Sequence, residues 1–237
     1  MIKMKDFIII KNVLLVSTKE NKNLIDIPNL QFDKNSISVI MGHNGSGKTL
    51  LLNLLQGLIS PNSGSIRFNQ QIKNCKNFIS IMMQKPTFLR RTTQQNIQFI
   101  LDLNKNKTRM SFLEVLERFD LVPQKNILAN KLSGGEKQRL SLALATSINS
   151  KILLLDEPTA NADPLTTFRI EKIIKEEASA GKKIILVTHS IAQAKRLGQD
   201  LIFINNGKVL EQNKATKFFT QSKTKEIVQF LKGEIIL

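Results

Sequence analysis

The sequence predicts an α/β fold around a mostly parallel, doubly wound sheet, and three observations carry that reading. Strand and helix patterns alternate from residue 134 to 188, which is the order a parallel sheet with crossover helices requires. A short apolar strand, Ile37 to Met41, runs straight into a glycine-rich loop and then into a helix. The composition is globular, at 41% apolar and 23% charged residues with no low-complexity tract, so 237 residues can bury a full core.

In chain order, residues 7 to 16 and 24 to 32 read as strands at the edge of a sheet, β-branched and apolar with Asn/Lys-rich turn material between them. They form an N-terminal antiparallel β portion. After Ile37 to Met41, a helix from about Lys48 shows an apolar face of Leu50, Leu51, Leu54, Leu55 and Leu58. Pro61-Asn62-Ser63-Gly64 turns the chain into a strand from Ser65 to Phe68. Ile79 to Met83 is a further strand, and from about 84 the pattern changes to short helices with polar joints, one of them through Phe112, Val115, Leu116 and Phe119. This stretch, to about 148, predicts a small helical subdomain. Helix 134–148, strand 151–155, helix 164–180 and strand 183–188 follow. Ile202 to Asn205, Asn206-Gly207 and Lys208 to Leu210 read as a hairpin on a type I′ turn, and the tail as helix.

Bulk properties exclude several classes of function. The longest apolar runs, Phe7 to Ile10 and Ile152 to Leu155, fall far short of the roughly 18 residues of a membrane-spanning helix. The opening residues carry no secretory signal, so a cytoplasmic location is expected. A single cysteine, Cys75, can form neither an internal disulfide nor a zinc site. The balance of 35 Lys and Arg against 19 Asp and Glu gives +16, but the lysines are scattered and Tyr and Trp are absent. A base-stacking surface would have only phenylalanine to draw on, so no nucleic-acid partner is expected; biased composition ranks first as the source of the charge, and attraction to a membrane surface second.

Three motifs carry chemistry. Gly42-His43-Asn44-Gly45-Ser46-Gly47-Lys48-Thr49 matches the phosphate-binding loop and lies where that loop must lie, between strand and helix. Its glycines let backbone N–H groups turn inward around phosphate oxygens, Lys48 reaches the β and γ phosphates, and Thr49 can hold Mg²⁺. The bland alternative is a glycine-rich turn. Ile152-Leu153-Leu154-Leu155-Asp156-Glu157 is a buried strand ending in two carboxylates: Asp156 would orient Mg²⁺ through its water shell and Glu157 would polarise the attacking water. Ser133-Gly134-Gly135-Glu136 is a capping box, yet a cap needs only Ser133 and Glu136. Two glycines weaken a helix start unless something approaches the backbone closely, so Leu132 to Glu136 reads as a second anion-binding helix terminus.

With Leu-Ser-Gly-Gly-Glu upstream of the aspartate strand and downstream of the phosphate loop, the chain resembles the ABC ATPase family over essentially its whole length. The resemblance implies one phosphate-loop NTPase domain of ABC type over 1–237, with the helical subdomain at about 84–148 inside it, and ATP and Mg²⁺ as its ligands. Within that pattern Gln84 looks like the loop glutamine that contacts Mg²⁺ or water, His189 like the switch histidine that touches the γ-phosphate, and Asp163 like the aspartate of the dimer-contacting loop. Taken singly, Gln84 would be a surface glutamine and His189 a helix-start residue. Two departures stand out. Val16-Ser17-Thr18 occupies the place where the family usually puts an adenine-stacking ring, leaving Phe7 and Phe32 as candidate substitutes, and Ala162 replaces a larger apolar residue before Asp163.

The resemblance further implies a head-to-tail homodimer, each ATP clamped between one chain's phosphate loop and the other's Ser133 to Glu136. The segment from Gln84 to Asn96 would pass movement to a partner. Chromosome-maintenance relatives need a long coiled coil, excision-repair relatives need zinc cysteines, and translation-factor relatives resemble two cassettes in tandem, none of which this chain has. A motor for an integral membrane permease at the inner face of the cell membrane remains. The segments Gln84-Lys85-Pro86, Leu89 to Thr92, Ala194 to Leu197 and Phe230 to Glu234 look like importers of small oxyanions such as tungstate, molybdate or phosphate, served indirectly by a substrate-binding protein. An exporter ATPase, or a non-transport ABC ATPase acting on nucleic acid, is the alternative.

Overall fold

A computed structural model describes residues 6–17, 22–69, 79–103, 110–160 and 162–234. Cys75, Thr18 and Asn161, which enter the sequence reading, lie outside the described residues. The fold is α/β, and the described chain divides into two compact units: residues up to 69 together with 183–234, and residues 79–182.

The first unit holds two sheets. β1 (Asp6–Ser17), β2 (Lys22–Asp33) and β4 (Ser63–Phe68) form an antiparallel sheet in the order β2-β1-β4. The first strands thus form the N-terminal antiparallel portion their pattern suggested, with β1 at the centre of that sheet rather than at an edge. Ile8, Ile10 and Val13 of β1 and Ile25, Ile27 and Leu30 of β2 are fully buried. In the second sheet β3 (Ile37–Met41) runs parallel to both β7 (Lys183–Val187) and β8 (Asp200–Asn205), and β8 turns back antiparallel into β9 (Lys208–Lys214). Every residue of β3 and β7 is buried, which is why these strands are apolar apart from Ser38 and Lys183. At the turn, Asn206 and Gly207 have φ of 47° and 75°, the pair of positive values that a type I′ turn requires.

Helix α1 (Lys48–Gln56) buries Leu51, Leu52, Leu54 and Leu55. Gly57, in the left-handed conformation, ends it, so Leu58 falls outside the helix and is exposed rather than completing its apolar face. α6 (Ile191–Leu197) follows β7, and the tail folds as two short helices, α7 (Ala215–Gln221) and α8 (Lys225–Lys232).

The second unit pairs β5 (Ile79–Met82) in parallel with β6 (Ile152–Asp156). Its helices are α2 (Thr93–Leu103), α3 (Phe112–Arg118), α4 (Gly134–Thr146) and α5 (Pro164–Ser179). α3 starts at a capping box that the sequence reading passed over: the Ser111 hydroxyl accepts from the Glu114 amide while Glu114 accepts from the Ser111 amide. Val115, Leu116 and Phe119 form its buried face. Arg118 in turn pairs with Glu176 and Glu177 of α5, and Glu177 also pairs with Lys182 at 2.7 Å. Burial pushes the Glu177 carboxyl up, but the two cations outweigh it and hold the group below its ordinary range.

Candidate functional site

In the first unit the glycine-rich loop leaves the buried carboxyl end of β3. Met41 lies level with Phe203 of β8, so the loop springs from a strand held on both sides. At Gly42 the chain passes so close to β8 that a Cβ there would fall 2.1 Å from the Ile204 carbonyl oxygen. No other residue fits. The loop's far side rests on the β8–β9 turn: the Gly207 amide donates to the Ser46 carbonyl at 2.9 Å, and the Gly207 carbonyl accepts from the Asp26 amide at 2.9 Å. A Cβ at Gly207 would lie 2.3 Å from the Leu24 carbonyl oxygen, so the hairpin turn is fitted to the loop and to β2 together.

Lys48 folds back over this loop, its ammonium donating to the Gly42 carbonyl at 2.8 Å and the His43 carbonyl at 2.6 Å. The Ser46 hydroxyl and His43 Nε2 are buried without a hydrogen-bond partner. Helix α1 begins at Gly47 with no side-chain cap and no acidic residue in its first turn. The positive end of its dipole therefore favours an anion at the loop. A buried orphan hydroxyl, an inward-curled ammonium and an uncapped helix start fit a polyphosphate.

Thr49, the second residue of α1, is exposed. No group of three or more His, Cys, Asp and Glu side chains among the described residues could hold a metal alone. The Thr49 hydroxyl in the first unit, and the Asp156 carboxylate and the Gln84 amide in the second, each offer oxygen donors of the kind a hard cation takes. His189 lies two residues beyond β7, at the strand end from which β3 also enters the loop, and it is exposed. Ser190, not His189, caps α6, its hydroxyl accepting from the Gln193 amide at 3.2 Å. The histidine is therefore not needed as a helix start.

In the second unit β6 is buried throughout and delivers Asp156, 2% exposed, at its end. Glu157 follows with φ at 49°, a left-handed conformation for a residue that is not glycine. Such a conformation costs on the order of 1–3 kcal/mol and persists where surroundings impose it, commonly at functional sites. Met82 of β5 pairs with Leu155, so Gln84, exposed two residues past β5, leaves the same end of this strand pair as Asp156 and Glu157. The stretch after Gln84 is tied down by buried Asn96 of α2, which accepts from the Leu89 amide at 3.0 Å and donates to the carbonyls of Leu89, Arg91 and Thr92. A polar residue one turn inside a helix was the only signal of it.

The capping box at α4 is present as read. The Glu136 amide donates to the Ser133 hydroxyl at 3.4 Å and the Ser133 amide to the Glu136 carboxylate at 2.8 Å, with Gln124 donating to the same carboxylate at 2.9 Å. Partial burial raises the Glu136 carboxyl, but these hydrogen bonds and Arg139 bring it below its ordinary range. The two glycines separate here. A Cβ on Gly135 would lie 3.2 Å from the Thr166 hydroxyl and 3.7 Å from the Asp163 carboxylate, so its smallness serves the packing of α5. Gly134 faces open space and retains no packing reason of its own. Asp163 caps α5, accepting from the Thr166 amide and, first in effect, from the Thr166 hydroxyl, which together lower its carboxyl.

Neither candidate ring can present a face to a base: Phe7 is 4% and Phe32 1% exposed. Near the end of β1, the Val16 amide donates to the Asn62 side chain at 2.8 Å.

The family model described as ABC transporter matches residues 25–160. The tungstate uptake system ATP-binding protein of Peptoclostridium acidaminophilum is 36% identical over 193 residues, covering 79% of this chain and 90% of that protein. The L-cystine import ATP-binding protein of Bacillus subtilis is 30% identical, covering 90% and 92%, and a phosphate import ATP-binding protein of Malacoplasma penetrans 32% identical, covering 87% and 79%. A solved ATP-binding cassette, dimeric in a post-hydrolysis state with ADP and Pi, superposes with a TM-score of 0.77 at 27% identity, covering 87% of this chain and 98% of that one.

Proposed function

The chain belongs to the ABC transporter family and is an ATPase of that family, and we propose that it is the motor subunit of an importer for a small oxyanion such as tungstate, molybdate or phosphate. The observation that carries the catalytic part is Glu157, a buried carboxylate kept in a left-handed backbone directly after the β6 aspartate. In this reading Gly42 to Thr49 hold the ATP phosphates through backbone amides and Lys48, and His189 touches the γ-phosphate. Glu157 takes the proton of the attacking water as general base, with Gln84 beside that water. Thr49, Asp156 and Gln84 would hold Mg²⁺, which when bound neutralises charge on the phosphates.

Ser133, Gly134, Gly135 and Glu136 serve the nucleotide of a second copy in a head-to-tail homodimer, with Asp163 at the contact between copies. Gly134, which has no packing reason to be glycine, supports a close approach from outside the chain. Residues 1–237 then act as one ATPase domain on the inner face of the cell membrane, energising separate permease subunits supplied by a substrate-binding protein. No helix among the described residues is long and apolar enough to cross a membrane. Oxyanion cargo is favoured by the tungstate and phosphate relatives, and the L-cystine relative marks the competing cargo. The test is ATPase activity of the chain with its permease in lipid vesicles, each candidate binding protein loaded in turn. Stimulation by tungstate- or phosphate-loaded protein is expected; stimulation by cystine-loaded protein alone refutes the oxyanion reading and leaves the motor assignment standing.

A further inference from the structure

Three aromatic rings of the first unit meet behind the phosphate loop. His43 lies edge-to-face with Phe230 of α8, centroids 5.1 Å apart at 85°, and with Phe203 of β8 at 6.4 Å and 84°. Phe203 and Phe230 close the triangle at 5.1 Å and 71°. Perpendicular rings at these separations are the favoured aromatic arrangement. Phe203 is fully buried in a strand, and α8 is anchored by buried Ile227 one turn before Phe230. His43 is thus the loop side chain clasped between a fixed strand and the helix.

We propose that Phe230 is a positioning residue for nucleotide binding: through His43 it holds the Gly42–Lys48 backbone in its phosphate-ready form, making α8 a structural part of the nucleotide site. Two observations besides the ring geometry point this way. His43 Nε2 is buried with no hydrogen-bond partner, and a perpendicular ring face is the environment in which an imidazole N–H edge keeps an attractive contact. The His43 carbonyl accepts both from the Ser46 amide at 3.2 Å and from the Lys48 ammonium, so fixing residue 43 fixes the loop's turn and its cation together. The rest of the loop is braced by β8 and by Gly207, leaving His43 as the place where α8 acts.

This rests on the reading of residues 42–49 as the phosphate loop, and the experiment separates the two. Affinity for trinitrophenyl-ATP and hydrogen exchange of the amides of residues 43–48 in the nucleotide-free protein are measured on the full chain. Variants are Phe230→Ala, Phe230→Leu, His43→Ala, the double Phe230→Ala/His43→Ala and, as a control, Lys48→Ala. Losing the two ring contacts is expected to weaken nucleotide affinity about 3- to 10-fold and to speed exchange of the loop amides. Phe230→Leu, which keeps apolar volume but not the ring, carries the test if the alanine variant does not fold, and should show the same direction. Adding Phe230→Ala to His43→Ala should cost nothing further, because one acts through the other. Unchanged affinity and exchange in a folded Phe230 variant, or fully additive losses in the double variant, overturn the proposal. Lys48→Ala binding as well as wild type would instead overturn the phosphate-loop reading.

Discussion

Lys183 opens β7 with its ammonium inside the protein, 1% exposed, donating to the Ser36 hydroxyl at 2.5 Å and the Ser38 hydroxyl at 2.7 Å, with the Phe32 ring 5.7 Å away. Among the described residues no carboxylate forms an ion pair with it. Asp200 reaches Ser38 at 3.4 Å but is engaged by Lys214 at 2.5 Å. Burial therefore dominates and lowers the Lys183 pKa from 10.5 to about 7, Asp200 and Asp33 opposing the shift and Lys214 adding to it. The unfolded chain keeps this proton up to the ordinary lysine value, and the folded chain releases it near 7. Between those pH values the unfolded state binds the extra proton, so stability rises with pH through that window and is flat below it. At about 1.4 kcal/mol per pH unit, the group makes the fold on the order of 3 kcal/mol more stable at pH 9 than at pH 6. Lys183→Met removes this term, and Ser36 and Ser38 keep other partners in the Asp33 carbonyl and the Asp200 carboxylate. Urea unfolding of both proteins at pH 6, 7, 8 and 9 is the assay. The variant should gain on wild type by about 3 kcal/mol as pH falls from 9 to 6. Parallel stability profiles would show that Lys183 stays charged when buried and would refute the argument.

Four further outcomes are expected. Glu157→Gln should keep ATP binding, slow hydrolysis by about 10²- to 10⁴-fold and accumulate an ATP-bound dimer on size exclusion; a variant that stays monomeric at high ATP defeats the general-base assignment. Ser133→Arg should block turnover with little change in the monomer's ATP affinity, and mixing it with Lys48→Ala should restore one composite site per heterodimer; a mixture binding no more nucleotide than either parent rules out sharing. Gly207→Ala, whose Cβ would meet the Leu24 carbonyl at 2.3 Å, should lower both melting temperature and ATP affinity; a fall in melting temperature alone would unlink the hairpin turn from the loop. With Phe7 and Phe32 buried, ATP and GTP should bind with similar affinity, and Ser17→Tyr should tighten both, by about 5- to 150-fold for a full base stack; tight wild-type binding with no gain from tyrosine would show that another group stacks on the base.

What could be read from the sequence alone was whatever is encoded over a few consecutive residues. The loop Gly42 to Thr49, the strand ending at Asp156, the capping box of Ser133 and Glu136 and the I′ turn at Asn206-Gly207 are each a local pattern whose geometry follows from neighbouring side chains. The tertiary structure decided what depends on residues far apart in the chain. It put β1 at the centre of the antiparallel sheet rather than at an edge, since strand pairing is set by partners such as Ile66 and Leu30, which lie in different segments. It gave Gly135 a neighbour in Thr166 and left Gly134 open, a difference invisible in two adjacent glycines of one motif. It turned Gly207 from a turn former into a brace for the phosphate loop, buried Phe7 and Phe32 where no base can reach them, and brought Phe230 against His43 across 187 positions. Backbone preference and capping act within a turn or two of helix or strand, so sequence shows them; burial and close approach are properties of the packed whole, and only the folded chain supplies the neighbour.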